Sequence, residues 1–258
     1  PPPPPPPPFF FQPQHGIRDF CLSRGLGDVY KRQLLNELTK PTNMQQLTMR
    51  LQAWKDWLVQ GSHTPNEITD NLSDNIGDIT HVSMKQVDGI TKGDMNASAF
   101  YNQDLDEEGK IPFEIELYFS KEDDQPMTIT NPDPLVNKVI EMLKHEFLHQ
   151  KQARARDFEE PTMGKDKKDT NYEYMSRPDE IEAYAMNIAD ELVKKADKDG
   201  AVELLRMANK TAQFKDKMGN LLSPNLFAYM AMWDFNSKHP VIKRLLKKIY
   251  QYITEQSS

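Results

Sequence analysis

The chain has 258 residues, a formal net charge of −7 at pH 7 and 38% hydrophobic residues. This length and composition are sufficient for one medium-sized domain with a buried core, or for two small domains. The negative charge argues against a general nucleic-acid binder, because such proteins need clustered positive charge. No apolar run approaches the roughly 18 residues that a membrane helix requires, so we expect no contact with a membrane.

Residues 1–33 differ in character from the rest of the chain. They begin with eight prolines and three phenylalanines and continue with GIRDFCLSRGLGDVYKRQ, which resembles stray translation of sequencing adapters at the ends of gene models. The segment has no periodic apolar face and lacks the order of basic, apolar and small residues of a signal peptide. We therefore interpret 1–33 as a disordered or artefactual tail and expect a single domain over 34–258.

The only cysteine of the chain, Cys21, lies in this tail. The remaining residues therefore have neither a disulfide framework nor a thiolate metal site. A cysteine-free acidic domain fits a reducing cytoplasm.

The first predicted helix covers 43–60, where four apolar side chains repeat at helical spacing: Leu47, Leu51, Trp54 and Leu58. Residues 61–78 are rich in Asn, Asp, Ser and Gly, which predicts a loop or a short helix. Strand-like segments follow around 79–88 and 97–102.

The clearest strand lies at 112–119, PFEIELYF, where apolar and polar residues alternate. One face carries Phe113, Ile115, Leu117 and Phe119, and the other carries Glu114, Glu116 and Tyr118. We expect the polar face to be solvated, since residues 104–124 hold nine acids against two lysines. We also expect this strand to offer an edge to which an extended peptide could add.

The sequence NPDP at 131–134 marks the change from strands to helices. Asp133 is the predicted N-cap and Pro134 the first helical residue of a helix that ends near 158. After a polar loop at 159–171, a second helix is predicted from about 177 to Gly200.

Further helices are predicted at 201–216, 224–236 and 240–255, the last two beginning at Ser223-Pro224 and His239-Pro240. A helix, a few strands and then many helices in this order predict an α+β fold.

The helix predicted from 134 contains H-E-x-x-H at His145, Glu146 and His149. Residues four apart on a helix have Cβ atoms about 5–6 Å apart, so both imidazoles can bind one ion. Glu146 projects about 100° away, where it can reach a metal-bound water. Because the histidines lie opposite the apolar stripe of this helix, they are either metal ligands or residues on a polar surface.

A catalytic zinc usually has three protein ligands. Gln152 and Ala155 stand where the metzincin extension requires Gly and His, which excludes that class, and His239 is predicted to be a cap or surface residue. The next helix offers Glu180 and Glu182, which flank its apolar stripe equally, so helical geometry does not choose between them. Both could also be first-turn acids favoured by the helix dipole.

H-E-x-x-H followed by a glutamate on a downstream helix resembles the gluzincin class of zinc metallopeptidases. RPDEIEAYA at 177–185 resembles the P-x-E-I-x-A-x-A segment that accompanies an HExxH helix in a group of phage metallopeptidase-like proteins. In that pattern the repeated glutamate precedes the isoleucine, which assigns the third ligand to Glu180. The resemblance covers about 112–195 and implies a zincin-like domain, with a small, mostly antiparallel sheet on the HExxH helix and a helical C-terminal part.

The resemblance implies zinc-dependent hydrolysis of peptide bonds, with Zn²⁺ bound by His145, His149 and Glu180. Glu146 would be the general base that activates the metal-bound water. The candidate oxyanion donors are Tyr172, Tyr174 and Tyr184. We expect a peptide or protein substrate, a phage or host protein as a further partner, and no nucleic acid. The expected location is the host cytoplasm or the virion.

Two other classes of function remain open. The protein could be a catalytically inactive phage structural or interaction protein that retains a zincin fold, with a structural zinc closed by a fourth ligand. It could also be a helical interaction module without a metal. The last predicted helix has a basic face, interpreted as solvated, for which an acidic partner or nucleic acid is the alternative: Lys243, Arg244, Lys247 and Lys248.

Overall fold

The computed structural model describes residues 41–166, 168–208 and 223–255, with side chains for 46–166, 168–207 and 223–255. The tail predicted at 1–33 lies outside the described residues. The chain divides into two compact units between residues 159 and 160, which we call the first and the second unit. No described helix is both long and apolar enough to cross a membrane.

The first unit is built from helices and three strands: α1 (Pro41–Leu58), α2 (Pro65–Ile76), β1 (Thr80–Val87), β2 (Met95–Tyr101), α3 (Gln103–Glu107), β3 (Phe113–Ser120) and α4 (Asp133–Ala155). The predicted first helix and the three predicted strands are confirmed. The segment predicted as a loop or a short helix contains α2, because Thr64 and Glu67 form a reciprocal capping box.

The sheet has the strand order β1-β3-β2, with β1 parallel and β2 antiparallel to β3. The prediction of a mostly antiparallel sheet is therefore wrong, since one of its two pairings is parallel. The prediction that β3 offers an edge to a peptide is also wrong, because both of its edges are already paired. The described chain thus has an α+β fold with a small mixed sheet.

The core of the first unit confirms the apolar patterns of α1 and β3. The predicted inward side chains of both elements are all buried: Leu47, Leu51, Trp54, Leu58, Phe113, Ile115, Leu117 and Phe119. The polar face of β3 is less solvated than predicted. Glu116 is buried there, because Lys85 Nζ lies 2.7 Å from its carboxylate and the Tyr118 hydroxyl donates a hydrogen bond to it over 2.6 Å.

The apolar stripe of α4 packs on this core through Val136, Val139 and Leu143. Asp133 is not the N-cap as predicted, since Pro132 occupies that position without a side-chain cap. Asp133 instead lies in the first turn, where its Oδ1 atom forms an ion pair with Lys55 Nζ over 2.5 Å. The helix ends at Ala155, earlier than predicted, because the backbone enters the left-handed region at 157 and 158.

The second unit is helical, with α5 (Thr170–Met175), α6 (Pro178–Ala208), α7 (Pro224–Met232) and α8 (Pro240–Glu255). The predicted stop at Gly200 is wrong, because α6 continues through it. The helical backbone breaks earlier, at Ala196 and Asp197, and the Asp197 carboxylate accepts a hydrogen bond from Gly200 N over 2.9 Å. Asp197 therefore caps the next turn, as aspartate does at helix N-termini.

The starts of α7 and α8 are confirmed. Ser223 Oγ accepts a hydrogen bond from Leu226 N over 3.0 Å, and the His239 carbonyl accepts one from Lys243 N over 2.9 Å. The helix predicted at 201–216 is described only to Ala208, where it belongs to α6, and 209–222 lie outside the described residues. α7 ends before the predicted 236, because residues 234 and 235 adopt positive φ.

Candidate metal site

His145 and His149 lie one turn apart on α4, and their ring centroids are 4.8 Å apart. His145 is only 9% exposed, so it does not lie on a polar surface. His149 is half-buried, and its Nε2 atom is fully buried. The two imidazoles therefore converge below the protein surface, as the i, i+4 spacing predicted.

The other ring nitrogen of His149, Nδ1, lies 3.0 Å from Gln152 Oε1. An amide oxygen only accepts hydrogen bonds, so in this arrangement Nδ1 carries the proton and Nε2 is the ring nitrogen that can act as a metal ligand. Sequence reasoning used Gln152 only to exclude the metzincin pattern. Its position three residues after His149, on the same helix face, was the available indication of this role.

Glu180 lies in the first turn of α6 and is 5% exposed. The partial positive charge of a helix N-terminus favours a carboxylate at this position. Glu180 also acts on the buried Tyr229: burial raises the pKa of Tyr229, and the negative charge of Glu180 raises it further. The Tyr229 hydroxyl itself donates a hydrogen bond to the Met175 carbonyl over 2.6 Å.

Ligand atoms of His145, His149 and Glu180 all lie within 4.8 Å of one another, and this buried cluster could hold a metal ion. A tetrahedral zinc with bonds of about 2.1 Å holds its ligand atoms about 3.4 Å apart. The upper limit of 4.8 Å exceeds this tetrahedral separation by about 1.4 Å. Two imidazoles and one carboxylate form a donor set of catalytic zinc sites, and imidazole also suits Cu, Fe and Ni.

Glu182, the alternative third ligand, is engaged elsewhere in the second unit. Both of its carboxylate oxygens accept hydrogen bonds from Lys248 Nζ, over 3.0 and 2.9 Å, and the Tyr252 hydroxyl donates a third over 3.1 Å. Burial raises the pKa of Tyr252, and the charge of Glu182 adds to the effect. Among the described residues, Glu182 does not belong to the potential metal-binding group.

The predicted oxyanion donors have packing contacts within the second unit. The Tyr172 hydroxyl donates to the Met232 carbonyl over 2.8 Å. The Tyr174 ring lies 5.4 Å from the Arg177 guanidinium, and the Tyr184 ring meets the Tyr229 ring edge-on at 5.0 Å. These contacts fix the three rings and leave the oxyanion donor unassigned.

His239 belongs to an aromatic cluster and not to the potential metal-binding group. Its ring stacks on Trp233 with centroids 5.6 Å apart, and its Nε2 lies 3.8 Å from Asp166 Oδ2. The Trp233 indole donates to the same Asp166 oxygen over 2.8 Å. The prediction that His239 occupies a cap position is confirmed by its backbone, which starts α8.

Comparisons with known proteins add no relative to these observations. Neither a protein-family model, nor a curated protein, nor a solved structure matches the chain. The function is therefore argued from the chemistry and geometry of the residues themselves.

Proposed function

We propose that this protein is a zinc-dependent hydrolase of peptide bonds, with Zn²⁺ held by His145, His149 and Glu180. The observation that supports the proposal is the convergence of their ligand atoms to within 4.8 Å. Among the described residues this group contains three potential ligands and no fourth. Three protein ligands leave one coordination position open, as catalytic zinc sites require, whereas structural sites are closed by four.

When bound, zinc supplies Lewis acidity, which lowers the pKa of a water toward about 7 and polarises the substrate carbonyl. Glu146 takes the proton released by the attacking water and returns it to the leaving amine as general acid. It follows His145 directly on α4, so its side chain projects about 100° from that ligand. Glu146 itself is half-buried.

The first test of the proposal is the metal content of the purified full-length chain, measured by elemental analysis. We expect about one zinc per chain in the wild type and in Glu146→Gln, because a general base lies outside the ligand set. His149→Ala should lose the metal. His81→Ala, which removes an exposed histidine of β1, is the matched control and should keep it.

Hydrolysis is then measured on fluorescence-quenched peptide libraries. The wild type should cleave peptides, and Glu146→Gln should retain zinc but lose at least 100-fold in rate, as expected for a missing general base. A chain that binds no stoichiometric metal, even after incubation with zinc, would contradict the proposal. Stoichiometric zinc without turnover would instead favour the inactive structural or interaction protein.

A further inference from the structure

A groove of about 470 Å³ is open on the second unit. It is formed by the last turns of α6, the residues before α8 and one face of α8. Its apolar lining consists of Val202, Leu205, Leu246 and Tyr250. Tyr250 is 47% exposed, so a large aromatic side chain faces solvent in the described structure. An exposed aromatic ring in an apolar depression is the kind of anchor that protein interfaces use.

Positive charges surround this apolar lining: Arg206, Lys238, Lys243 and Lys247. Arg206 forms an ion pair with Glu203. Among the described residues, the ammonium groups of the three lysines have no acidic partner within ion-pair distance. Lys248 on the same helix differs from these lysines, because its ammonium group forms an ion pair with the Glu182 carboxylate. The groove is thus locally cationic on a chain whose net charge is −7.

We propose that this groove binds an acidic, amphipathic peptide segment of a partner protein. Apolar side chains of the segment would cover Leu246 and Tyr250, and its carboxylates would pair with the exposed lysines. The volume lies in the range of ligand pockets, about 300–1,000 Å³, which suits a few side chains of a peptide. The inference uses none of the metal-ligand residues and is independent of the proposed hydrolysis.

Charge and surface chemistry favour this occupant over two others. Residues 209–222 of the chain itself carry three lysines against one aspartate, so their charge does not complement the groove. Nucleic acid would need stacking platforms and a wide positive field. Among the described residues that line the groove, Tyr250 is the single aromatic one, so the groove lacks the series of stacking platforms that single-stranded nucleic acid uses.

The test uses a fluorescein-labelled 16-residue synthetic peptide with Glu and Leu at amphipathic helical spacing, measured by fluorescence anisotropy with the full-length chain. We expect a Kd on the order of tens of micromolar at low salt, weakened several-fold by 0.5 M NaCl because the lysines are exposed to screening. Peptides with Lys in place of Glu and a single-stranded RNA of equal length should bind at least tenfold more weakly.

Two groove variants and one matched control locate the binding. Lys243→Glu/Lys247→Glu and Tyr250→Ala should each weaken binding of the acidic peptide at least tenfold. Lys92→Glu/Lys165→Glu makes the same change in net charge at exposed lysines outside the groove and should leave the Kd within twofold. Equal binding by control and groove variants, tighter binding of RNA, or no binding by the wild type would each overturn the inference.

Discussion

The Nδ1 atom of His149 lies 3.0 Å from Oε1 of Gln152 on the same helix. This bond fixes the tautomer and the ring orientation of a potential ligand. Gln152→Leu, whose side chain has a comparable volume but no hydrogen-bond acceptor, should weaken zinc binding about 10- to 100-fold, the usual effect of losing an outer-sphere partner. Competition with a chromophoric chelator measures this affinity.

The control for this prediction is Gln152→Glu, which keeps an acceptor at the same distance along the side chain. Its affinity for zinc should equal or exceed that of the wild type, because a carboxylate accepts the Nδ1–H bond more strongly than an amide. An unchanged affinity in Gln152→Leu would show that the bond does not orient His149.

The two neighbouring glutamates of α6 should respond oppositely to substitution. Glu180→Gln removes a charged donor from the potential ligand group and should lose stoichiometric zinc while keeping the fold. Glu182→Gln should keep zinc but lower the free energy of unfolding by about 1–2 kcal/mol, because it removes a charge-assisted contact with Lys248. Elemental analysis and urea unfolding separate the two effects. Loss of zinc in Glu182→Gln alone would reverse the assignment.

The features that sequence reasoning predicted well depend on local periodicity. The buried stripe of α1 follows from spacings of three and four residues, the alternation of β3 from a spacing of two, and the approach of His145 to His149 from a spacing of four. The resemblance to gluzincins placed Glu180 beside them, and its ligand role stays a prediction. The three inferences from spacing needed no knowledge of how distant segments pack, whereas the choice of Glu180 came from the resemblance alone.

The features that it missed depend on contacts distant in sequence. The parallel pairing of β1 with β3 joins residues 33 apart, and local alternation is the same for parallel and antiparallel neighbours. Glu182 is separated by 66 residues from Lys248, so a helical wheel of α6 could not distinguish it from Glu180. The ion pair between Glu116 and Lys85 was missed for the same reason, because the two residues lie on strands that are distant in sequence.

A buried carboxylate couples the stability of the first unit to pH. Asp106 on α3 accepts hydrogen bonds from Arg154 Nε and Nη2, from Gln150 and from Tyr101, over 2.7 to 3.0 Å. Burial raises the pKa of Asp106, but these bonds outweigh it and hold the pKa below its ordinary value of 3.8. The stabilisation is therefore fully present above about pH 4 and is lost as the pH falls through the lower folded-state pKa.

Asp106→Asn should accordingly destabilise the chain at pH 7 by about 2–4 kcal/mol, since it weakens a buried charge-assisted network. The difference from wild type should shrink as the pH is lowered from 4 to 2. Urea unfolding at several pH values measures it. Asp104→Asn, at an exposed position of α3, should change the free energy by less than about 0.5 kcal/mol. A difference for Asp106→Asn that does not vary with pH would contradict this linkage.

Zinc should also stabilise the chain, because the ligand group is assembled only in the folded state. A ligand at 100 times its Kd adds about 2.7 kcal/mol to the free energy of unfolding, which raises the Tm by about 5–10 °C for a chain of this size. We expect EDTA to lower the Tm of the wild type by this amount, and added zinc to restore it. His149→Ala should melt at one temperature under both conditions, whereas Glu146→Gln should follow the wild type. A wild-type Tm that responds to neither EDTA nor zinc would show that the three converging side chains are structural neighbours and not metal ligands.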